Sequence, residues 1–149
     1  MPLRAVESSD VAAIAEVYLS ALRGMTYLPP LYSEAEARDY VTDVLLPHNE
    51  VWVAEESGRV VGFAGFADGF LRHLWVRPAD QNRGVGTQLL KLAMARCPGG
   101  LQLWVFQKNV GARRLYERNG FRLAELTDGA ANRVHEPDAR YIWDPAADS

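Results

Sequence analysis

Residues His73–Leu90 read HLWVRPADQNRGVGTQLL, a stretch that joins an apolar segment to a glycine-containing turn and a helical pattern. Phe70–Val76 is mostly apolar and predicts a strand, and Gly84 and Gly86 precede apolar residues that recur at helical spacing. A helix N-terminus directs free N–H groups at one point, and glycines let a ligand come close to the backbone. Gln81–Gly86 (QNRGVG) therefore predicts an anion-binding loop of the kind that holds phosphate.

This loop differs from two better-known phosphate motifs. A P-loop requires Lys and then Ser or Thr after its last glycine, whereas Gly86 is followed by Thr87 and Gln88. A dinucleotide-binding fingerprint requires a further glycine where this chain has Leu89. Arg83 adds a positive charge suited to phosphate. Taken alone, the two glycines fit a plain turn before a buried helix as well as they fit an anion site.

A second segment, Asn109–Phe121 (NVGARRLYERNGF), predicts a short helix with Asn109 at its N-cap and a glycine at its end. These features are common in helices of any function, and Tyr116 taken alone is best interpreted as a core residue. The segment gains a functional meaning because it follows Gln81–Gly86 in the same topology.

The remaining periodicities predict the order β-α-α-β-β-β-α-β-α-β-β and one domain over residues 1–149. Ser33 and Glu36 form a capping box for the second helix, which we expect to end at Pro47. The predicted strands are Leu3–Val6, Val51–Ala54, Val60–Ala67, Phe70–Val76, Leu101–Phe106, Phe121–Leu126 and Arg140–Trp143.

Two of these strands carry finer predictions. Leu101–Phe106 is almost entirely apolar, which is typical of a strand that is covered on both faces. Strict alternation along Phe70–Val76 divides that strand into two faces. One face holds Phe70, Arg72, Leu74 and Val76, and the other holds Leu71, His73 and Trp75.

The composition excludes several classes of protein. Hydrophobic residues make up 48% and charged residues 23% of the 149 residues, which is typical of a soluble globular protein. The net charge of −3 argues against nucleic acid or an anionic membrane as a partner. Cys97 is the single cysteine, and His48, His73 and His135 lack the spacing of zinc ligands. We expect a cytoplasmic protein without a metal.

The two segments together resemble the signature motifs of the GNAT superfamily of N-acetyltransferases. His73–Leu90 matches the Q/R-x-x-G-x-G/A motif, Asn109–Phe121 matches the segment with Asn, Ala and Tyr, and Val51–Ala67 is similar to the preceding hairpin. The resemblance covers nearly the whole chain. It implies an α/β (α+β) fold with a mixed, mostly antiparallel sheet, splayed fourth and fifth strands and about four flanking helices.

The resemblance also implies an acyltransferase that moves acetyl from acetyl-CoA to a primary amine of a small molecule or peptide. The pantetheine arm would lie between the splayed strands and the pyrophosphate on the glycine loop. The cofactor-binding residues implied are Leu74, Trp75, Val76, Gln81, Asn82, Arg83, Gly84, Val85, Gly86, Thr87, Asn109, Ala112 and Tyr116. A homodimer is compatible with the resemblance.

The proton transfers divide between a candidate acid and several candidate bases. Tyr116 is the implied general acid for the departing thiolate, since a phenol titrates near pH 10. Many members of the superfamily carry a glutamate on the fourth strand, which Phe70–Val76 lacks. His73 is the candidate base on that strand because its ordinary pKa is near neutrality. Glu16, Glu55, Glu117 or water remain alternatives, and the missing glutamate leaves open a non-catalytic acyl-CoA-binding module.

By the same resemblance, the first helix–loop–helix and the last hairpin select the acceptor. These regions contain Tyr18, Tyr27, Tyr32 and Tyr40, and Asp128, His135, Glu136 and Asp138. They fit either an acidic rim around aromatic residues, which would suit a cationic amine, or ordinary core tyrosines beside a solvated loop. The residues alone favour the second interpretation.

Overall fold

A computed structural model describes residues 2–146, which form a seven-stranded sheet flanked by helices. The strands are β1 (Leu3–Ala5), β2 (Glu50–Glu56), β3 (Arg59–Ala67), β4 (Phe70–Val76), β5 (Leu101–Phe106), β6 (Arg122–Leu126) and β7 (Asp138–Trp143). The helices are α1 (Val11–Arg23), α2 (Glu34–Tyr40), α3 (Leu46–His48), α4 (Val85–Arg96) and α5 (Val110–Arg118). The predicted α/β class and element order are confirmed.

The second helix lies close to its predicted limits. Ser33 and Glu36 form the expected capping box at its N-terminus. α2 continues through a π-helical segment, Val41–Leu45, into α3, which ends at His48, one residue after the predicted end at Pro47. Pro47 lies in the first turn of α3, and the wider π-helical turn before it accommodates a residue that cannot donate a backbone hydrogen bond.

The sheet has the order β1-β2-β3-β4-β5-β7-β6 and divides between β4 and β5. These two strands are parallel, and the ladder pairs them at Phe70 and Gln102 alone, where the Gln102 N–H donates to the Gly69 carbonyl at 2.8 Å. Every other neighbouring pair is antiparallel. The strands separate beyond this single pair, which confirms the predicted splay.

A β-bulge interrupts β4 at Arg72. The ladder between β3 and β4 pairs Gly65 with His73 and Phe66 with Leu71, which leaves Arg72 without a partner on β3. An extra residue of this kind shifts the alternation of side chains by one position.

The bulge makes the predicted division of β4 into two faces wrong. Leu71 is buried in the same apolar cluster against which Leu74 and Val76 pack, whereas Trp75 packs against the cluster on the opposite face of the sheet. His73 lies on the same face of the sheet as Trp75, since the centres of the two rings are 6.5 Å apart.

The core consists of these two apolar clusters, one on each face of the sheet. α4 and α5 cover the first through residues such as Leu89 and Tyr116, and α1 and α2 cover the second through residues such as Ile14 and Ala37. At Gly62 on β3, a Cβ atom would lie 2.9 Å from the Trp75 carbonyl oxygen, so glycine permits close packing there.

The prediction that β5 is covered on both faces is wrong. Leu101, Leu103 and Val105 are buried, whereas Trp104 between them keeps 46% of its surface exposed. The apolar run therefore does not indicate burial on both faces here, because its outward residue remains in contact with solvent.

Candidate functional site

A cleft of about 1110 Å³ occupies the opening between β4 and β5. Its walls come from both strands, the turn before α4, the first turns of α4 and α5, and two loops at its mouth, residues 24–33 and 127–137, which we call the mouth loops. Most of the predicted site residues line it, namely Leu74, Trp75, Val76, Gln81, Asn82, Gly84, Gly86, Thr87, Asn109, Ala112 and Tyr116. His73, Arg83 and Val85 are not among the lining residues.

The edge of β4 presents backbone polar groups to this cleft. The Arg77 N–H donates to the Val61 carbonyl at 2.9 Å, which fixes the phase of the antiparallel ladder. In that phase the N–H and C=O groups of Leu74 and Val76 point away from β3 and toward the cleft. The Gln81 side chain donates to the Val76 carbonyl at 3.1 Å, as this orientation requires.

The N-terminus of α4 has the backbone geometry that the predicted anion site requires. Gly84 is the N-cap and has a φ of 87°, a left-handed conformation that favours glycine. The Gln88 N–H donates to the Gly84 carbonyl at 3.1 Å, so it makes the first bond of the helix. The N–H groups of Val85, Gly86 and Thr87 precede that bond and have no acceptor within the helix. Val85 is buried, and its side chain packs in the apolar core.

Asp80 holds the loop before α4, and sequence reasoning missed it. Its buried carboxylate accepts hydrogen bonds from Arg77 at 2.6 Å and from Arg83 at 2.8 Å. Arg83 also pairs with Glu56 at 2.5 Å, so two carboxylates neutralise its charge outside the cleft. The Arg83 side chain therefore shapes the loop, and the groups left available for an anion at this helix N-terminus are backbone N–H groups.

Tyr116, the predicted general acid, lines the cleft. Its ring is 6% exposed and lies 5.8 Å from Phe121 and 6.3 Å from Tyr141. Within residues 2–146 its hydroxyl has no hydrogen-bond partner, and burial raises its pKa, so the group stays protonated. Asn109 fixes the start of the helix that carries it by accepting the Ala112 N–H at 3.3 Å.

His73 is held in an aromatic cluster outside the cleft. Its Nδ1 accepts a hydrogen bond from the Trp75 indole at 3.0 Å, and an indole can only donate. The ring proton therefore belongs on Nε2, which donates to the Tyr40 hydroxyl at 2.7 Å. Burial, with a smaller contribution from the Arg72 charge, lowers the pKa of His73 to about 4. Both nitrogens are occupied, so this placement argues against His73 as the general base.

The alternative carboxylate bases are also engaged elsewhere. Glu16 and Glu55 pair with arginines, and Glu117 accepts a hydrogen bond from a buried tyrosine. None of the three lines the cleft. Asp138 does line it, but its Oδ2 accepts from Asn132 at 3.2 Å and its Oδ1 from a threonine hydroxyl.

The two mouth loops meet at Tyr32 and Arg133. The Arg133 guanidinium donates to the Tyr32 hydroxyl at 2.8 Å, and its carbon lies 5.2 Å from the centre of the same ring. Tyr32 in turn packs against Tyr18 and Tyr40, with ring centres 5.9 Å and 6.2 Å away. Tyr18 and Tyr40 therefore support Tyr32, the member of this cluster that lines the cleft.

The structure does not support the acidic rim. Asp128, His135 and Glu136 are absent from the lining of the cleft. Glu136 is 9% exposed and lies 3.5 Å from the ammonium of Lys108. Within the described range, 2–146, no group of His, Cys, Asp and Glu side chains could hold a metal, and no helix is long and apolar enough to cross a membrane.

Comparison with known proteins agrees with this architecture. Residues 47–123 match the family model of the acetyltransferase (GNAT) domain. The peptidyl-lysine N-acetyltransferase YiaC of Escherichia coli is 32% identical over 127 residues, which cover 83% of this chain and 84% of YiaC.

Solved structures show the same fold. The apo-form of YjaB from Escherichia coli is 21% identical with a TM-score of 0.76, over 95% of this chain and 96% of YjaB. The Salmonella typhimurium protein yncA, solved with its cofactor acetyl-CoA, is 23% identical with a TM-score of 0.73, over 96% of this chain and 92% of yncA.

The split mixed sheet, with the helix N-terminus of α4 facing the cleft between its halves, is the α/β architecture that these acetyltransferases share. The chain belongs to the GNAT family and is an N-acetyltransferase. This confirms the resemblance drawn from His73–Leu90 and Asn109–Phe121, and it favours the enzyme over the non-catalytic module.

Proposed function

We propose that this N-acetyltransferase transfers acetyl directly from acetyl-CoA to a primary amine, with Tyr116 as the general acid. As a GNAT acetyltransferase, the chain uses acetyl-CoA as its donor. The observation that carries the proposal is the Tyr116 hydroxyl, which lines the cleft, is removed from bulk water and has no partner within residues 2–146.

The cleft offers separate positions for the parts of the donor. The pantetheine amides pair with the free N–H and C=O groups of Leu74, as an added strand would. The pyrophosphate accepts hydrogen bonds from the first N–H groups of α4, where the helix dipole favours an anion. The Val76 N–H polarises the thioester carbonyl as an oxyanion hole does.

The chemistry requires one bond to form and one to break. The lone pair of the neutral amine attacks the thioester carbon, and the C–S bond breaks to release a thiolate. Tyr116 donates its proton to that sulfur, and the proton lost by the nitrogen passes to water, from which the phenolate recovers it. An amine of pKa about 10.4 is neutral in roughly one of 2,500 molecules at pH 7, so deprotonation before attack contributes to the barrier.

Two observations support water as the carrier of that proton. His73 has both ring nitrogens occupied, and Asp138 has both carboxylate oxygens hydrogen-bonded.

The primary amine is supported by a relative. YiaC is a peptidyl-lysine N-acetyltransferase by name, and the lysine side chain carries a primary amine of the kind that this chemistry requires.

The test compares wild type with Tyr116→Phe in an assay of CoA release with a panel of amines. General acids contribute about 10²-fold or more, so we expect kcat to fall by about that factor. The affinity for acetyl-CoA, measured by calorimetry, should stay within about twofold because the ring and its packing remain. Turnover equal to wild type would remove the acid role. CoA release that does not depend on any amine would remove the amine acceptor.

A further inference from the structure

Cationic side chains dominate the charged lining of the cleft beyond the anion site. Arg72, Lys108, Arg118 and Arg133 all line it, and Arg118 makes no ion pair within residues 2–146. Lys108 lies 3.5 Å from Glu136, and Arg72 lies 3.5 Å from the exposed Asp68. In the part of the chain that the structure describes, Arg133 has no carboxylate within 4.0 Å.

Arg133 is held in place by an aromatic ring and retains most of its donors. Its Nη1 donates to Tyr32, and the cation–π contact fixes the guanidinium over the same ring. A guanidinium carries five N–H groups in a planar fork that matches a carboxylate, and one atom of this fork is engaged here. Glu36 is close enough to sense the Arg133 charge, but its carboxylate accepts the Ser33 N–H at 2.9 Å.

Among the described residues, the lining of the cleft has no free carboxylate that could bind a second cationic group of the acceptor. Asp138 is the carboxylate among the described lining residues, and its two oxygens accept from Asn132 and from the Thr127 hydroxyl. A polyamine would place its remaining ammonium groups near Arg72, Lys108 and Arg133 without a free counter-charge. An acceptor with an anionic group complements this lining, and complementary charge sets specificity at binding sites.

We infer that the acceptor carries a carboxylate as well as its primary amine, and that Arg133 binds this carboxylate at the mouth of the cleft. The inference rests on the proposed function, since the amine must reach the thioester near Tyr116. The shared chemistry is an amine and a carboxylate in one acceptor. It belongs either to an amino-acid-like small molecule or to a peptide in which an acidic residue neighbours lysine.

The experiment measures CoA release by the full chain with two matched pairs of acceptors. The first pair is Nα-acetyl-lysine and Nα-acetyl-lysinamide, which differ only in the carboxylate. The second is an end-blocked Glu-Lys-Gly peptide and its Gln-Lys-Gly counterpart. A charge-assisted bidentate contact predicts kcat/KM about tenfold higher for the carboxylate member of one pair. The pair that shows the ratio identifies the source of the carboxylate.

Variants test whether Arg133 causes the difference in kcat/KM between the carboxylate and amide members of a pair. Arg133→Gln should lower kcat/KM about tenfold for the carboxylate member, mainly through KM, and leave the amide member unchanged. Arg133→Lys should retain part of the ratio, and Arg114→Gln, an exposed arginine outside the cleft, should retain all of it. A melting temperature equal to wild type excludes misfolding as the cause.

The outcomes separate the two proposals. Turnover without a carboxylate preference in either pair, or a preference that survives Arg133→Gln, overturns the inference and leaves the proposed function standing. Absence of CoA release with every amine removes the proposed function and this inference with it.

Discussion

At the scale of single residues, Tyr116 and His73 show how burial acts differently on two polar rings near one cleft. Burial raises the pKa of Tyr116 and lowers that of His73 because it disfavours the charged form in each case. Tyr116 has no partner within residues 2–146 and keeps a proton to donate. His73 uses one nitrogen to accept from Trp75 and the other to donate to Tyr40, so it serves the packing of the mouth.

His73 predicts a pH dependence of stability. The ordinary pKa of histidine, 6.5, applies to the unfolded chain, and the pKa of His73 in the fold is about 4. As the pH falls, the unfolded chain therefore binds the proton at a higher pH than the folded one. The free energy of unfolding should therefore fall as the pH drops from about 7 to about 4, by on the order of 3 kcal/mol from this residue. His73→Gln, whose amide can accept from Trp75 and donate to Tyr40, should lose this contribution in urea unfolding at several pH values.

The comparison with His73→Gln isolates one group. Carboxylates whose pKa values are lowered in the fold, such as Asp10 and Glu50, lose stability in the same direction, but they do so equally in both proteins. A pH profile of the variant parallel to that of wild type would show that His73 titrates in the fold as it does in water.

At the scale of elements, the turn between β4 and α4 is the feature on which the anion site depends. Arg77, Asp80 and Arg83 recur every three residues across a 3-10 turn, Pro78–Asp80, which brings their charges together. That spacing is visible in the sequence and could have identified Asp80 as the centre of the turn. The geometry that follows is a loop fixed by two arginines bound to one buried carboxylate.

Asp80→Asn should loosen this turn. Hydrogen bonds to charged groups are worth about 1.5–3 kcal/mol, so the free energy of unfolding should fall by that order and the KM for acetyl-CoA should rise. Asp68→Asn is the matched control, because Asp68 is 85% exposed and lies 3.5 Å from its arginine. Surface pairs of that kind contribute at most about 1 kcal/mol. If the two substitutions lowered the free energy of unfolding equally, Asp80 would have no special role in holding the loop.

Gly84 predicts a purely conformational effect. Its φ is 87°, and no atom lies within 4 Å of the Cβ that alanine would add. Gly84→Ala should therefore destabilise by about 1–2 kcal/mol through the left-handed backbone alone. Gly111 in α5 has equal space around it and no left-handed φ, so Gly111→Ala should be neutral or stabilise by up to about 1 kcal/mol. Chemical denaturation of both variants measures the difference, and equal values would contradict it.

The same elements show what could be predicted from the sequence and what could not. Strand and helix bounds follow from periodicity, and most strand limits differ from the structure by two residues or fewer. The bulge at Arg72 leaves no mark in composition, so the faces of β4 could not be assigned. Tyr116, Gly84 and Gly86 were located through motifs with fixed spacing. The contact of Arg133 with the first mouth loop spans 101 residues and has no local signal.

At the scale of the whole molecule, the sheet is two units joined at one point. β1–β4 and β5–β7 meet through the pair Phe70 and Gln102, and beyond it the cleft separates them. One apolar cluster holds the halves together, because residues of β3 and α4, such as Val61 and Leu89, share it with residues of β5 and β7, such as Leu103 and Tyr141. In the proposed function, a bound donor pairs with the backbone edge that β4 leaves open toward the cleft.

Binding of acetyl-CoA should therefore stabilise the whole fold and also slow hydrogen exchange at particular amides. At a concentration 100 times Kd the ligand should raise the free energy of unfolding by about 2.7 kcal/mol, measured as a higher melting temperature. In hydrogen exchange, the amides of Leu74 and Val76 should slow by more than that of Trp75, because Trp75 already lies opposite Phe63 in a hydrogen-bonded pair. Uniform slowing of all three amides would mean that the donor stabilises the fold without pairing with β4, and the phosphate contacts at α4 would then account for binding.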